Sequence, residues 1–359
     1  MAIKGGASYI LRGDNQLVYL EAGKHSEDPD DPENKEFKVE WTCRYLEARY
    51  FLPEGEEYDP KSSFSSRSIT PYQVAEKEFK DECFSTKNGA KAFKETNLVL
   101  NTRELRSFDA LYEFTLTISK DSRKNQSWIY LDVIKDKPPG IIIMCEKKVA
   151  CTIYHDGFII NPSDWLPVRA ECVTDCGNGK IAYDWNIYGI NDVFDAVDLQ
   201  EWKDFVVIDE DRLGINRTFF QHFHDFKYFH VQVTGIDTIE DRPKGVAKLH
   251  LKINNSPKPG LCVSPLMTGL AMIGIFRIEF VNWTDPDKHT LVDYSLYMNY
   301  EGKKFRLHYG VKTSVDFILP PGECEVICTV QDQLGAVTSL TVGKIMVSKL
   351  FITLHDCCY

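Results

Sequence analysis

The sequence predicts an all-β chain of three tandem β-sandwich modules, and three observations carry that expectation. Period-two alternation of apolar and polar residues recurs along the 359 residues, whereas sustained helical periodicity is scarce. A unit made of an apolar strand, an acidic or cysteine-bearing turn and an aromatic-centred strand occurs three times. Proline-rich joints, Lys137-Pro138-Pro139-Gly140 and Ser256-Pro257-Lys258-Pro259-Gly260, follow the first two copies, and proline cannot continue a central ladder.

In chain order, the first copy runs LVYLEAGKHSEDPDDPENKEFKVEW, with Asp28-Pro29-Asp30 in the turn and Trp41 in the following strand. The second runs LPVRAECVTDCGNGKIAYDW, where Cys172 and Cys176 occupy the turn and Trp185 takes the aromatic place. The third runs FRIEFVNWTDPDKHTLVDYSLY, with Asp285-Pro286-Asp287 in the turn and Tyr294 as the aromatic. The aromatic positions lie 144 and 109 residues apart, a sandwich-sized interval with insertions in the first two copies. Each copy closes with a strand pair: 112–118 with 128–134, 228–233 with 246–253, and 324–330 with 340–347. The expected modules are therefore 1–138, 139–255 and 256–347, with an unassigned tail at 348–359. Residues 72–79 and 199–205 are the two places where a short helix fits, and neither is long enough to set the fold.

A hydrophobic content of 43% supports a sizeable core, and a net charge of -11 without a Lys/Arg stripe argues against nucleic acid or anionic lipid as partner. Eleven cysteines, three pairs of them close in sequence (Cys145 and Cys151, Cys172 and Cys176, Cys324 and Cys328), suit short disulfide loops or zinc ligands. Sequons at Asn125, Asn216, Asn254 and Asn282 favour the secretory reading mildly. The N-terminus has no basic region followed by an apolar core, so no signal peptide is read there, and the chain is expected to be part of a longer protein. The apolar stretch 260–276 is broken by Pro265 and glycines and is too short to span a membrane; it reads as strand and turn.

Each candidate site has a structural and a chemical reading. Trp41, Trp185 and Tyr294 fill the inter-sheet core by the sandwich rule, or else stack a sugar. The acidic turn Glu27, Asp28, Asp30, Asp31 and Glu33 is a weak Ca²⁺ candidate with Asp28, Asp30 and Asp31 at its centre. It lacks the glycine-centred loop and terminal bidentate Glu of an EF-hand, and a turn stabilised by Asx hydrogen bonds is the favoured reading. Cys145, Cys151, Cys172 and Cys176 offer a Cys₄ zinc set, but the loose C-x5-C spacing favours two local disulfides; Cys43 with Cys83 is a third candidate bridge. His222, His224 and His230 amid phenylalanines offer an H-x-H metal face without a third ligand at suitable spacing. Arg12-Gly13-Asp14 spells an integrin-type tripeptide that is also a turn signal. No nucleophile motif, metalloprotease helix or cofactor cradle is present, so neither an enzyme nor a cofactor is expected.

The third copy, with CVSP, NWTDPD, LPPGE and a valine-rich strand ending in DQLGA, resembles the REJ (receptor for egg jelly) module of the polycystin family. Upstream, MCEKKVAC and ECVTDC resemble its paired-cysteine segment, LVLNTRELRSFDALYEFTLTIS its first strand pair, and SEDPD the turn of a PKD-type sandwich. The resemblance covers about residues 5–347. It implies a PKD-like sandwich with a long insertion, a REJ sandwich with paired cysteines and a REJ/fibronectin-like sandwich, all of the immunoglobulin/fibronectin III class. It also implies an extracellular region of a membrane protein linked to a calcium-permeable channel, with protein or glycan ligands or mechanosensing as its task, and neighbouring domains of the larger chain as partners. The alternatives are a stand-alone secreted adhesion protein and a polysaccharide-active sandwich enzyme. Phe280 stands where the family has a cysteine, which leaves Cys262 without its expected partner; Cys324, Cys328, Cys357 and Cys358 are unassigned.

Overall fold

A computed structural model of the protein describes residues 8–22, 37–47, 80–85, 93–146, 151–154, 157–178, 180–190 and 196–349. The acidic turn at 27–33, the possible helix at 72–79 and the tail with Cys357 and Cys358 lie outside the described residues. The chain divides into two compact units, 1–253 and 254–359.

Unit 1 contains β1 (Tyr9–Arg12), β2 (Leu17–Glu21), β3 (Lys38–Glu47), β4 (Asn97–Asn101), β5 (Ala110–Lys120), β6 (Arg123–Val133), β7 (Gly140–Cys145) and β8 (Thr152–Tyr154). It continues with β9 (Gly157–Ile160), β10 (Leu166–Thr174), β11 (Ile181–Ile190), β12 (Ala196–Asp198), β13 (Val206–Asp209), β14 (Arg212–Ile215), the single-turn α1 (Arg217–His222), β15 (Tyr228–Asp237) and β16 (Gly245–Ile253). The stretch 199–205, one of the two places where the sequence fits a short helix, ends in a 3₁₀ turn at Trp202–Phe205. Strand alternation sets the layers. On β10 the side chains of Leu166, Val168 and Ala170 are buried, and on the facing sheet so are Trp185, Ile187, Val231 and Val233. Burial of each such aliphatic chain contributes about 1.5–3 kcal/mol.

One ten-stranded sheet runs β12-β11-β15-β16-β1-β6-β5-β3, with β9 and β8 added beside β16; β13-β14-β10-β7 and β2-β4 form the other two sheets of the unit. The short β1 is the hinge of this arrangement. It pairs parallel with β6, Tyr9 opposite Tyr130 through Arg12 opposite Val133, and antiparallel with β16, Tyr9 opposite Lys248. Its main-chain hydrogen bonds therefore tie strands from either side of Pro138 into one sheet, and that proline joint lies within unit 1.

Unit 2 contains β17 (Leu261–Val263), β18 (Thr268–Leu270), β19 (Phe276–Val281), β20 (Leu291–Tyr300), β21 (Lys303–His308), β22 (Ser314–Phe317), β23 (Gly322–Asp332) and β24 (Val337–Ser348). Its sheets, β17-β19-β22 and β18-β24-β23-β20-β21, enclose Phe276, Ile278, Phe280, Leu296, Val326, Val330 and Ile345. The β20–β21 hairpin pairs Tyr300 with Lys303, and its two-residue loop puts Glu301 at φ 50° and Gly302 at φ 76°. Such left-handed loops match the right-handed twist of the strands they join, and glycine takes that conformation without a steric penalty. The stretch 260–276 forms β17, β18 and the turns around them, and among the described residues no helix is long and apolar enough to cross a membrane.

Candidate functional site

The cysteines act as clips. Cys43 on β3 bonds Cys83 with a Cα–Cα distance of 6.1 Å; Cys145 on β7 bonds Cys151 just before β8, at 6.4 Å; Cys172 on β10 bonds Cys176 at 5.8 Å. With both local pairs bonded, their sulfurs are not thiolates able to ligate zinc. The partner of Cys262, which the sequence leaves open because Phe280 stands at the family's cysteine position, is Cys328: Cys262 on β17 bonds Cys328 on β23, 66 residues away and on the opposite sheet. The sequence proximity of Cys324 and Cys328 misleads because both lie on one extended strand. Four residues of strand span about 13 Å, roughly twice the Cα separation a disulfide accepts. Cys324 is a buried free thiol against the Pro320 carbonyl, and burial pushes its pKa up.

Of the three aromatics, Trp41 and Trp185 are buried, their indole N–H groups donating to the carbonyls of Glu95 and Glu210. Tyr294 is partly buried and packs on the apolar cluster of unit 2, edge-on to Phe280 at 5.3 Å, beside the buried aromatics Phe276, Phe280, Trp283 and Phe317. Leu296 and Met298, two and four residues further along the same face of β20, reach full depth.

The histidines do not share a strand face. His222 ends α1 and stacks on Phe205 at 4.4 Å, His224 is exposed beside Asp225, and His230 on β15 meets His250 on β16 at 5.0 Å. Burial, then the neighbouring His250 and Lys248, hold His230 well below the usual imidazole range. The Arg12-Gly13-Asp14 tripeptide is not presented to a partner. Arg12 is 2% exposed and donates to the carbonyls of Leu11 and Ile141, and burial lowers its pKa to about 10. Asp14 is paired with Arg103 at 3.0 Å.

The sequons differ in access. Asn125 and Asn282 are exposed, and Asn216 is half-buried, its side chain accepting from the Thr218 and Phe219 N–H groups as the cap of α1. Asn254 is 1% exposed and its amide donates to Asp332 at 2.8 Å. In secreted protein from a mammalian host, glycopeptide mapping is expected to find Asn125 and Asn282 occupied and Asn254 bare. A glycan on Asn254 would show that its backbone is accessible and overturn this placement.

Two features of unit 2 escape a reading of sequence spacing. The first is a carboxylate–imidazole cluster where the β19–β20 loop meets the β23–β24 turn. Asp285 Oδ1 accepts from the N–H groups of Asp287 (2.8 Å) and His289 (2.9 Å), and Asp332 Oδ1 accepts from those of Leu334 and Ala336 (2.9 Å each). Asn255 donates to Asp287 Oδ2 at 3.0 Å. His289 Nδ1 lies 3.8 Å from Asp285 Oδ1 and 3.9 Å from Asp332 Oδ2. The signal available in the sequence was the D-P-D-K-H spacing, which sets donors at alternate positions; nothing local links it to Asp332. The second feature is an apolar surface. Leu266, Met267, Leu270, Met272, Ile273 and Ile275, six large side chains within ten residues, are each 40–65% exposed.

Comparison with known proteins adds the following. Similar solved structures include the fibronectin(III)-like modules of Clostridium thermocellum CbhA, at 12% identity and TM-score 0.33, covering 61% of this chain and 100% of that one. They also include extracellular domains 3-5 of Drosophila OTK, at 9% identity and TM-score 0.24, covering 98% and 97%. A third is a Ca²⁺-stabilized adhesin of an Antarctic bacterium, at 10% identity and TM-score 0.32, covering 97% and 75%. No curated protein matches the sequence. The REJ domain family matches residues 1–349, a span that holds the paired cysteines, all of unit 1 and unit 2 up to residue 349. The chain, an all-β structure of stacked sheets, belongs to the REJ domain family.

Proposed function

We propose that the chain is a non-catalytic extracellular module of a polycystin-like membrane protein that engages an extracellular protein or glycan and conveys that contact to a linked calcium-permeable channel. The observation that carries this reading is the REJ match over residues 1–349. Four disulfides among the described residues suit an oxidising compartment. The exposed apolar run from Leu266 to Ile275 supports a contact surface on unit 2, because contiguous apolar area of that kind marks interaction sites.

The test is to tetramerise the secreted chain and probe arrays of extracellular proteins and glycans. Saturable binding to at least one of them is expected, weakened at least tenfold by Met272→Asp with Ile273→Asp in a chain that keeps its far-UV spectrum. Folded chain that binds nothing on either array, or that hydrolyses an arrayed glycan, would overturn the reading.

A further inference from the structure

The geometry points to a divalent transition-metal site in unit 2, of zinc-like preference, built from Asp285, Asp287, His289 and Asp332. The first observation is a buried carboxylate with an idle oxygen. The Asp285 side chain is 1% exposed, its Oδ1 holds the turn through two N–H groups, and its Oδ2 is buried with no hydrogen-bond partner. The second is the imidazole. His289 Nδ1 is also buried without a hydrogen-bond partner, and its 3.8 Å and 3.9 Å separations from the oxygens of Asp285 and Asp332 are too long for hydrogen bonds. The third is convergence: one donor atom each from Asp285, Asp287 and His289 falls within 4.8 Å of the others, and the fully buried Asp332 adds a carboxylate beside His289.

These facts conflict with a cluster that needs nothing more. A buried carboxylate oxygen without a partner is costly, and a buried charge without compensation more so. Among the described residues no lysine or arginine pairs with Asp285 or Asp332. A dication supplies the missing charge and takes up the idle Asp285 oxygen and His289 nitrogen together.

The donor set selects the ion. Three carboxylates and an imidazole nitrogen form a mixed N/O set; Ca²⁺ and Mg²⁺ take oxygen ligands, and the absence of thiolate removes the softest metals. Zinc binds nitrogen at about 2.0–2.1 Å and carboxylate oxygen at about 2.0–2.2 Å, so a tetrahedral site has ligand–ligand edges of about 3.4 Å. His289 Nδ1 and Asp332 Oδ2, 3.9 Å apart, need to close by about half an ångström to reach that edge, and the donor atoms of Asp285, Asp287 and His289, within 4.8 Å of one another, by at most about 1.4 Å. With four protein donors the site is closed and structural. It would pin the β19–β20 loop to the turn after β23, two segments some forty residues apart in sequence.

The experiment uses the whole chain in a Cys357→Ser, Cys358→Ser background, which removes the two terminal thiols as competing zinc ligands. After chelator treatment and dialysis, ZnCl₂ is titrated by calorimetry, with CaCl₂ as a parallel arm and melting temperature as a second readout. One equivalent of Zn²⁺ and a rise of several degrees are expected. Asp285→Asn retains an acceptor for the turn yet loses the charge, and is expected to weaken binding at least tenfold; His289→Gln is expected to do the same. The proposal is overturned by folded chain that takes up no Zn²⁺ and shows no thermal shift. Undiminished zinc binding in both variants overturns it equally, as does a preference for Ca²⁺ that His289→Gln leaves unchanged.

Discussion

Replacing both Cys262 and Cys328 with alanine is expected to lower the stability of unit 2 by about 4 kcal/mol. The bridge closes a loop of 66 residues, and the entropy that such a cross-link removes from the unfolded chain grows with the logarithm of loop length, giving about 4 kcal/mol at this size. It also fastens the β17-β19-β22 sheet to the five-stranded sheet through β23, so the substitution acts on the contact between the layers. Removing Cys172 and Cys176, which close a loop of only 4 residues, is expected to cost unit 1 about half as much. Denaturant unfolding of the two double variants beside the parent measures both. A Cys262/Cys328 variant within 1 kcal/mol of the parent would show that the bridge does not hold the sheets together.

The contrast between these bridges shows what a sequence carries. Local pairs such as Cys172 and Cys176 are legible because the turn that joins them is a few residues long. Cys262 and Cys328 meet only because two sheets stack face to face, and stacking leaves no trace in spacing. The strands themselves were readable, since one-sided burial forces alternation; β10 and β11 follow it closely. Short β1 was not, because its pairing with both β6 and β16 depends on partners more than a hundred residues away. The same holds for the carboxylate–imidazole cluster. Asp285, Asp287 and His289 sit on one loop and were visible as a turn, but Asp332 reaches them only through the β20–β23 pairing that places Leu291 opposite Asp332. Tyr294 stays on the core side of β20, the face it shares with Leu296 and Met298, but at the edge of the apolar cluster, and depth within a sheet face is not written in strand alternation.

Trp185→Ala is expected to destabilise unit 1 by about 3–5 kcal/mol, the cost of emptying a large, well-packed core position. Trp185 is 3% exposed, lies on β11 opposite Val233 of β15, and belongs to the apolar cluster that fills the unit. Its indole N–H crosses to the Glu210 carbonyl in the turn joining β13 and β14, so one side chain fills the core and ties the large sheet to the four-stranded one. The two contributions separate with Trp185→Phe, which keeps most of the apolar volume and gives up the hydrogen bond. Because Glu210 is exposed and its carbonyl can turn to water, that variant is expected to lose only about 1 kcal/mol plus the volume difference. A melting temperature unchanged in Trp185→Ala would move the indole to the surface and restore sugar stacking as its role. A loss of several kcal/mol in alanine with a small loss in phenylalanine assigns it to packing between the sheets, and leaves ligand contact to surfaces such as the exposed apolar run of unit 2.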